Sequence, residues 1–345
     1  MTSHVVTLTL ILICCTACNQ AQISVDEGLS QQYEFKMISS GDNVPNFYPM
    51  EDNLCQVVVL LHQGKTQNEI QRSFDWTDRT MNAKLELLKN ASFIKSRNDG
   101  NLTPNVFVCS LDDGLNINKQ LDPIVKQTAD SIEKKSKHFA QDVAKLDAFR
   151  AIRFEDVSLL VLSDVLLDNW QIENIEKEVL RSPRTLRHGK HYYASYQEKS
   201  KGTATEAFGI YGNQIDDAGS FSVCRYGNVR YSKEILSLSK ELKSEYASSK
   251  STKQPNCPII DIKDYGELQK TANSFKPTLI TILNQRKDLF QKTYRESVYS
   301  SEISYEEYFI WVYHFFYTAV TEELISRKVI SMPKEKVAIY ILKNE

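Results

Sequence analysis

The clearest hydrophobic pattern begins at residue 53, where apolar residues recur every three to four positions. This period places them on one face of a helix. Thr66 and Glu69 form a capping box that begins a second helix, and either Thr77 or Asp78 caps a third. The sequence therefore predicts three short amphipathic helices. Their apolar positions are Leu54, Val57, Val58, Leu61, Ile70, Phe74, Met81, Leu85 and Leu88.

A hairpin is predicted after these helices. A polar turn, RNDGN, separates Phe93-Ile94-Lys95 from the strand-like segment VFVCS. Three helices followed by a hairpin at this spacing resemble the winged helix-turn-helix superfamily over residues 51–112. The resemblance implies a winged-helix-like domain, which we assign to residues 51–115. It implies a shape and does not by itself imply a function.

The next part of the chain mixes helical and strand-like patterns. Residues 118–155 carry one apolar stripe and predict a long amphipathic helix, whereas the apolar run 156–170 fits either a buried helix or a strand. Alternation in HYYASY, AFGIYG and SFSVCRYGNVRYS predicts an antiparallel meander. We therefore expect residues 116–243 to form an α+β domain with a long helix and this meander.

A low-apolar linker is predicted over residues 244–258, followed by a helical C-terminal region, 259–345, that ends in a β-hairpin. Its most apolar helix, 305–326, has a cap at Ser304 with Glu307 three residues later. The predicted fold class is α+β, with an N-terminal winged-helix-like domain followed by a mixed helix and antiparallel-sheet body.

The first residues of the chain have the pattern of an export signal. The apolar run Val5–Ile13, about nine residues, is too short to span a bilayer but suits a signal-peptide core. Small residues precede Cys18, and the segment resembles the lipobox of bacterial lipoprotein precursors. It departs from that pattern because Cys15 stands where Leu is usual and MTSH carries no Lys or Arg. The resemblance implies a signal peptide over residues 1–17, lipidation of Cys18 and a tether over residues 18–50.

A protein with this N-terminus is expected in the bacterial cell envelope, held to a membrane by its lipid. We expect it to act there as an interaction or ligand-binding module. The alternative is a cytoplasmic winged-helix transcriptional regulator, and a third class is an envelope hydrolase. Beyond Cys15-Thr16-Ala17-Cys18 in the export-signal segment, the sequence holds no CxxC, and it holds no GxSxG, P-loop or GxGxxG motif. We therefore assign no catalytic residue and no cofactor, and the pattern favours a protein that is not an enzyme.

The charge of the chain argues against nucleic acid as the partner. Lys plus Arg number 42 and Asp plus Glu 44, so no global field attracts a polyanion. On the third helix, Arg79, Asn82 and Lys84 are the candidate contacts to DNA or to a protein, but Asp78 and Glu86 dilute their charge. We expect a protein or an anionic polymer as partner instead.

A basic and aromatic segment, SPRTLRHGKHYYASY, is the best candidate for a ligand site. Arginine forks pair with carboxylates or phosphates, and tyrosines stack on rings. The alternative is that these are exposed loop charges beside strand tyrosines. The residues expected to bind a ligand are Arg184, Arg187, Tyr193, Tyr211 and Asn213.

Other titratable residues give weaker indications. His188 and His191 form an HxxH pair, but Arg184 and Arg187 lie beside it, so no metal site is assigned. Asp164 and Asp168 lie four apart in an apolar run, and we expect such acids at the solvent edge of a helix. A pocket joining Arg187, Tyr193 and either Asp168 or His314 would favour an enzyme.

Four cysteines remain after removal of the signal and lipidation of Cys18. They allow three disulfide pairings, and the sequence does not choose among them. Cys55 and Cys109 lie in apolar runs and are expected as core residues. The four are Cys55, Cys109, Cys224 and Cys257.

Overall fold

A computed structural model describes residues 25–40, 43–199 and 210–344, which form a mixed α+β fold. Two π-helical segments, Leu160–Val165 and Glu176–Leu180, continue α6 and α7. The helices are α1 Val25–Ser30, α2 Leu54–His62, α3 Gln67–Ser73, α4 Asp78–Asn90, α5 Leu111–Val143, α6 Phe154–Leu159, α7 Ile172–Ile175, α8 Lys233–Ser249, α9 Ile262–Asn284, α10 Lys287–Glu296, α11 Tyr299–Glu302 and α12 Tyr305–Ser326. The strands are β1 Tyr33–Ile38, β2 Ile94–Ser96, β3 Leu102–Pro104, β4 Phe107–Cys109, β5 Leu186–Arg187, β6 Lys190–His191, β7 Tyr193–Glu198, β8 Asn213–Asp217, β9 Phe221–Gly227, β10 Ile259–Ile260 and β11 Val337–Lys343.

The three helices predicted near the N-terminus are present as α2, α3 and α4. The predicted capping box begins α3, with the Thr66 amide donating to the Glu69 carboxylate at 2.7 Å and the Glu69 amide donating to the Thr66 hydroxyl at 3.3 Å. Of the two candidates for the cap of α4, Thr77 is the one that accepts a hydrogen bond, from the Thr80 amide. The apolar faces of these helices share one core with residues of β7.

The hairpin after these helices differs from the predicted one. β2 pairs antiparallel with β3, with Lys95 opposite Thr103. The apolar segment VFVCS, predicted as the second strand, instead supplies β4, which joins another sheet. Residues 106–109 are fully buried, and a strand buried on both faces reads as a continuous apolar run.

A three-stranded sheet with the order β1-β7-β4 lies between the core of the body and the core around α2. β7 pairs antiparallel with β1, from Tyr33 opposite Glu198 to Ile38 opposite Tyr193, and parallel with β4. Because side chains alternate along a strand, Tyr193 packs in the core of the body while its neighbour Ala194 packs in the core around α2. Within the segment predicted as a tether, residues 33–38 form β1.

A second sheet has the order β10-β11-β9-β8. β9 pairs antiparallel with β8 and β11, and β10 runs parallel to β11. The prediction of one meander is wrong, because β7 belongs to the first sheet. Residues 207–209 of the predicted AFGIYG strand lie outside the described residues. The predicted C-terminal hairpin is also wrong, because β11 pairs with β9 and β10 instead of with a neighbouring segment.

Helices form the rest of the body, where α5 and α12 pack against each other. The long helix begins and ends earlier than predicted, because α5 covers Leu111–Val143. Leu146 and Phe149, which suggested a longer helix, are buried in a turn segment that follows α5. The apolar run 156–170 is mostly helical, as α6 and its π-helical continuation, so of the two alternatives the helix is correct.

The predicted linker and the cysteines also have definite positions. α8 extends to Ser249, so the segment 244–258 begins as helix, and Cys257 at its other end is buried. The four described cysteines are all free and buried. The expectation that Cys55 and Cys109 are core residues is therefore confirmed.

Candidate functional site

A small cavity lies where the end of β1, the segment before β8 and the middle of α12 meet. We name it the Asp168 cavity. Its volume is about 170 Å³. Six of its lining residues carry most of its chemistry. They are Asp168, Arg184, Tyr211, Arg230, Trp311 and His314.

Distant parts of the chain build the walls of this cavity. The last residues of β1, 36–38, form one wall together with Ser39. Trp311 and His314 lie three residues apart on α12, so they share one face of the helix. Two hydrogen bonds hold the backbone of Tyr211. Its amide donates to the Thr318 hydroxyl at 3.1 Å, and its carbonyl accepts from the hydroxyl of Tyr317 at 2.7 Å. The cavity therefore exists only in the folded chain.

Three cationic side chains line the cavity, Lys36, Arg184 and Arg230. The Lys36 ammonium lies 3.1 Å from the Glu34 carboxylate, and Arg184 Nε lies 2.7 Å from the Glu176 carboxylate. Arg230 Nη1 donates to two backbone carbonyl oxygens, at 2.6 and 3.1 Å. Carboxylates thus hold Lys36 and Arg184 in position, and backbone carbonyl oxygens orient Nη1 of Arg230, whose charge also acts on Asp168. The lining has more cationic than anionic side chains.

His314 is a neutral histidine with a defined tautomer. Its Nδ1 lies 2.7 Å from the Ile310 carbonyl oxygen, which can only accept, so Nδ1 carries the proton and Nε2 keeps its lone pair. Burial lowers the pKa of His314 to about 4, and the charges of Lys36, Arg184 and Arg230 act in the same direction. The imidazole is therefore uncharged at neutral pH.

Two buried carboxyl groups lie four residues apart in the chain, Asp168 of the cavity lining and Asp164. Asp168 is 7% exposed, and burial raises its pKa to about 7. Asp164 lies in the adjoining π-helical segment, where it accepts from Asn213 Nδ2 at 2.6 Å and from the Tyr340 hydroxyl at 3.1 Å. Burial, and then the nearby Asp168, raise the pKa of Asp164 well above its usual value. The expectation that both acids lie at the solvent edge of a helix is therefore wrong. π-Helical segments such as the one that contains Asp164 are frequent at functional sites.

The buried donor atoms of the cavity lining that make no hydrogen bond within the described residues include the indole Nε1 of Trp311 and the guanidinium Nη1 of Arg184. Buried donors in folded proteins nearly always have a partner, whether protein, water or ligand. An acceptor bound in the cavity would satisfy both of them.

The predicted ligand-binding residues divide into two groups. Arg184, Tyr211 and Asn213 line the Asp168 cavity together, although Arg184 is far from the other two in sequence. Arg187 and Tyr193 are outside the lining and fully buried in the core. Their burial corrects the prediction that they belong to an accessible ligand surface.

Arg187 instead forms a buried ion pair with Glu307 at the start of α12. Its Nη2 lies 2.6 Å from both carboxylate oxygens of Glu307, and its Nη1 donates to the Ser92 carbonyl at 2.5 Å. Both side chains are almost completely inaccessible. Arg187, which the sequence suggested as a ligand-binding residue, therefore stabilises the fold through this ion pair.

The charged and aromatic lining residues that the sequence prediction missed are Lys36, Arg230 and Trp311. Lys36 lies in the predicted tether, Arg230 lies in the predicted strand segment SFSVCRYGNVRYS, and Trp311 lies in a helix that is apolar on all sides. No local pattern connects these segments, because strand pairing and helix packing bring them together. The i, i+3 spacing of Trp311 and His314 is the one local signal available.

The candidate contacts on α4 are not part of the cavity lining. Lys84 donates to the Asp52 carbonyl at 2.6 Å and its ammonium lies 4.8 Å from the centre of the Trp76 ring. Arg79 and Asn82 are exposed, and Asn82 accepts from Gln67 at 3.5 Å. Lys84 is thus used within the fold, while Arg79 and Asn82 remain at the surface.

The histidine pair lies at a short hairpin, where His188 adopts a left-handed conformation with φ of 46° and His191 Nδ1 lies 2.9 Å from the Arg184 carbonyl oxygen. Within residues 25–40, 43–199 and 210–344, no group of three metal-ligating side chains is placed to hold an ion. Over the same ranges, no helix combines the length and apolar character that crossing a bilayer requires.

No protein-family model matches this chain, and neither a curated protein nor a solved structure is similar to it.

Proposed function

We propose that this protein is an exported lipoprotein, anchored to a membrane of the bacterial cell envelope through Cys18, whose body binds a small acidic ligand in the Asp168 cavity. The observation that carries the ligand proposal is that Trp311 Nε1 and Arg184 Nη1 are buried donors without acceptors, in a lining whose cations outnumber its carboxylates. A carboxylate or phosphate supplies the acceptor oxygens that these donors lack. The ligand binds where Arg184, Tyr211 and Asn213 meet.

The size of the cavity limits the ligand. A volume of about 170 Å³ corresponds to roughly five or six water molecules, at about 30 Å³ each. Sites for drug-sized ligands usually measure about 300–1,000 Å³. The ligand is therefore a small acid, and only the end of a longer chain or polymer would fit.

The membrane anchor is supported by the N-terminal sequence alone. The apolar run Val5–Ile13 and the small residues before Cys18 suit a lipidated precursor, and both lie outside the described residues. A lipid on Cys18 would hold the protein at the membrane without a spanning helix, although stable anchoring by lipid usually needs more than one acyl chain.

For residues 51–112 we propose a winged-helix-like unit used for protein contact. The order of α2, α3, α4 and the β2–β3 hairpin supports this shape. The DNA-binding alternative has less support, because Lys84 is bonded within the fold and Arg79 and Asn82 stand without a basic stripe. Binding to duplex DNA that weakens steeply with salt would favour the regulator instead.

The cavity that would favour a hydrolase is formed only in part, because Asp168 and His314 share it but Arg187 and Tyr193 lie outside its lining. In addition, Nδ1 of His314 is bonded to the Ile310 carbonyl instead of to an orienting carboxylate. Among the described residues, no hydroxyl or thiol donates to His314, so the nucleophile–base pair of such enzymes is missing. Ligand binding without catalysis agrees better with this geometry.

The ligand proposal is tested with small carboxylates, with and without amino groups, by thermal shift and titration calorimetry. We expect saturable binding that Arg184→Met weakens at least about tenfold, because it loses a hydrogen bond to a charged group. Arg181→Met is the matched control, since Arg181 is exposed and bonded only to its own helix. Absence of binding by every acid, or equal binding by both variants, would contradict the proposal.

A further inference from the structure

The polar groups of the Asp168 cavity are of two chemical kinds. Arg184 and Trp311 offer buried donors without acceptors. Asp168 and His314 offer the opposite, a carboxyl group and the lone pair of Nε2, which the bond from Nδ1 to Ile310 fixes as an acceptor. A simple anion would accept hydrogen bonds from Arg184 and Trp311, but it has no donor for Asp168 or His314. It would also lie close to the carboxyl group of Asp168.

We propose that the ligand is a zwitterion of α-amino acid size, whose carboxylate is bound by Arg184 and Trp311 and whose ammonium donates to Asp168 and His314. This inference rests on the proposed function and names the ligand class of the same site. An ammonium group has three donors and no acceptor, so it matches a carboxylate together with a neutral imidazole. A volume of about 170 Å³ is sufficient for a small amino acid.

The state of His314 supports the ammonium position. A protonated imidazole would repel a cation and would have no lone pair to offer at Nε2. Burial and the surrounding cations instead lower the pKa of His314 to about 4, so this nitrogen accepts throughout the neutral range. The tautomer required by the Ile310 carbonyl leaves the acceptor on the nitrogen that is free to bind the ligand.

The state of Asp168 makes the inference measurable. Its pKa is raised to about 7 by burial, while the Tyr317 hydroxyl and Arg230 act against that rise and Asp164 lies nearby. An ammonium bound beside Asp168 favours the ionised carboxylate and expels its proton. An anion bound there has the opposite effect and raises proton uptake. The sign of proton exchange on binding therefore distinguishes the two ligand classes.

The test compares L-alanine with propionate, which lacks the ammonium group, and with ethylamine, which lacks the carboxylate. Titration calorimetry at pH 7 is repeated in buffers of different ionisation enthalpy, which gives the number of protons exchanged. We expect L-alanine to bind at least about tenfold more tightly than propionate or ethylamine and to release protons. This readout uses the wild-type protein and needs no variant.

Two variants test whether the affinity for L-alanine and the proton release depend on Asp168. Asp168→Asn should bring L-alanine to the affinity of propionate and abolish the proton release, whereas Asp142→Asn on the surface of α5 should change neither. Equal affinities for L-alanine and propionate, or proton uptake with L-alanine, would overturn the zwitterion while leaving an acidic ligand in place. Failure of all three compounds and of every other small acid would overturn the proposed function as well.

Discussion

Glu307 shows, at the scale of one residue, how a local pattern predicts only part of a role. The sequence predicts its place after the cap Ser304, and its amide does donate to the Ser304 hydroxyl at 3.1 Å. Its carboxylate, however, accepts from Arg187 at 2.6 Å, from the Thr185 hydroxyl at 2.8 Å and from the Ala194 amide at 3.2 Å. One carboxylate thus fixes α12 against β5 and β7.

Removal of this carboxylate should be costly. Glu307→Gln leaves Arg187 as a buried charge without compensation, so we expect the free energy of unfolding to fall by about 3–5 kcal/mol. Urea unfolding measures this change. Glu306→Gln, one residue earlier and half-buried, should cost less than about 1 kcal/mol. A similar loss in both variants would show that the ion pair is not the cause.

Asp168 should make stability depend on pH. Burial raises its pKa from 3.8 to about 7, so between these values the folded protein keeps a proton that the unfolded chain has lost. The contribution of Asp168 to the free energy of unfolding therefore falls as the pH rises from about 4 to about 7. We expect Asp168→Asn to raise the melting temperature at pH 8 and to reduce this slope, while Asp142→Asn leaves both unchanged. A variant less stable than the wild type at pH 8 would refute this assignment.

At the scale of elements, the sequence predicts helices better than strand pairing. Capping residues such as Thr66 and Ser304 act within one turn, so they can be read locally. The partners of β7 and β11 lie far away in the chain, and alternation gives no information about which strand they meet. The predicted meander and terminal hairpin were wrong for this reason.

In the candidate site too, local patterns in the sequence predict some residues, and those that depend on strand pairing are missed. Arg184, Tyr211 and Asn213 were predicted from their chemistry, since basic, aromatic and turn residues cluster near them. Lys36 was not, because β1 looks like an isolated polar segment until it pairs with β7. Arg187 has the same chemistry as Arg184, and only the position of Glu307 distinguishes the buried arginine from the one at the cavity.

A buried ionic cluster connects three helices. His62 at the end of α2 lies 2.9 Å from the Glu302 carboxylate of α11 and 3.8 Å from the Asp113 carboxylate of α5. Burial opposes the charge of His62, but the two carboxylates outweigh it and raise the pKa of His62 to about 10. The cluster therefore holds the N-terminal helices against the body while His62 is protonated.

His62→Gln tests this connection. Because the folded pKa exceeds the usual value of 6.5, the stabilisation is fully present below about pH 6.5 and is lost as the pH rises towards 10. We expect the variant to lose about 3 kcal/mol or more at pH 6, with a smaller difference from the wild type at pH 10. His138→Gln, which removes an exposed pair with Asp142, should cost less than about 0.5 kcal/mol. A pH-independent difference would rule out the ionic role of His62.

At the scale of the whole molecule, the proposed anchor and the cavity are close in sequence. Cys18 precedes β1 by a short segment, and β1 supplies the cavity wall that contains Lys36. In the proposed arrangement, the segment that would tie the body to the membrane leads directly into the wall of the Asp168 cavity.

The anchor is tested by replacing Cys18. We expect the wild-type protein to incorporate labelled palmitate and to sediment with membranes, because lipidation supplies the membrane affinity. Cys18→Ala should lose both properties, and Cys15→Ala, three residues earlier, should keep them. An unlabelled wild-type protein that keeps its first eighteen residues and stays in the cytosol would exclude the lipoprotein.

The most direct test of the central claim, that an acidic ligand occupies the Asp168 cavity, is the indole N–H signal of Trp311 in nuclear magnetic resonance. Trp311 and Trp170 each have a buried Nε1 without an acceptor, but only Trp311 lines the cavity. Titration with L-alanine should shift the Trp311 signal saturably, as it gains an acceptor, and leave the Trp170 signal in place. Trp311→Phe assigns the signal. Saturable binding with no change at Trp311, or equal shifts at both indoles, would contradict the account.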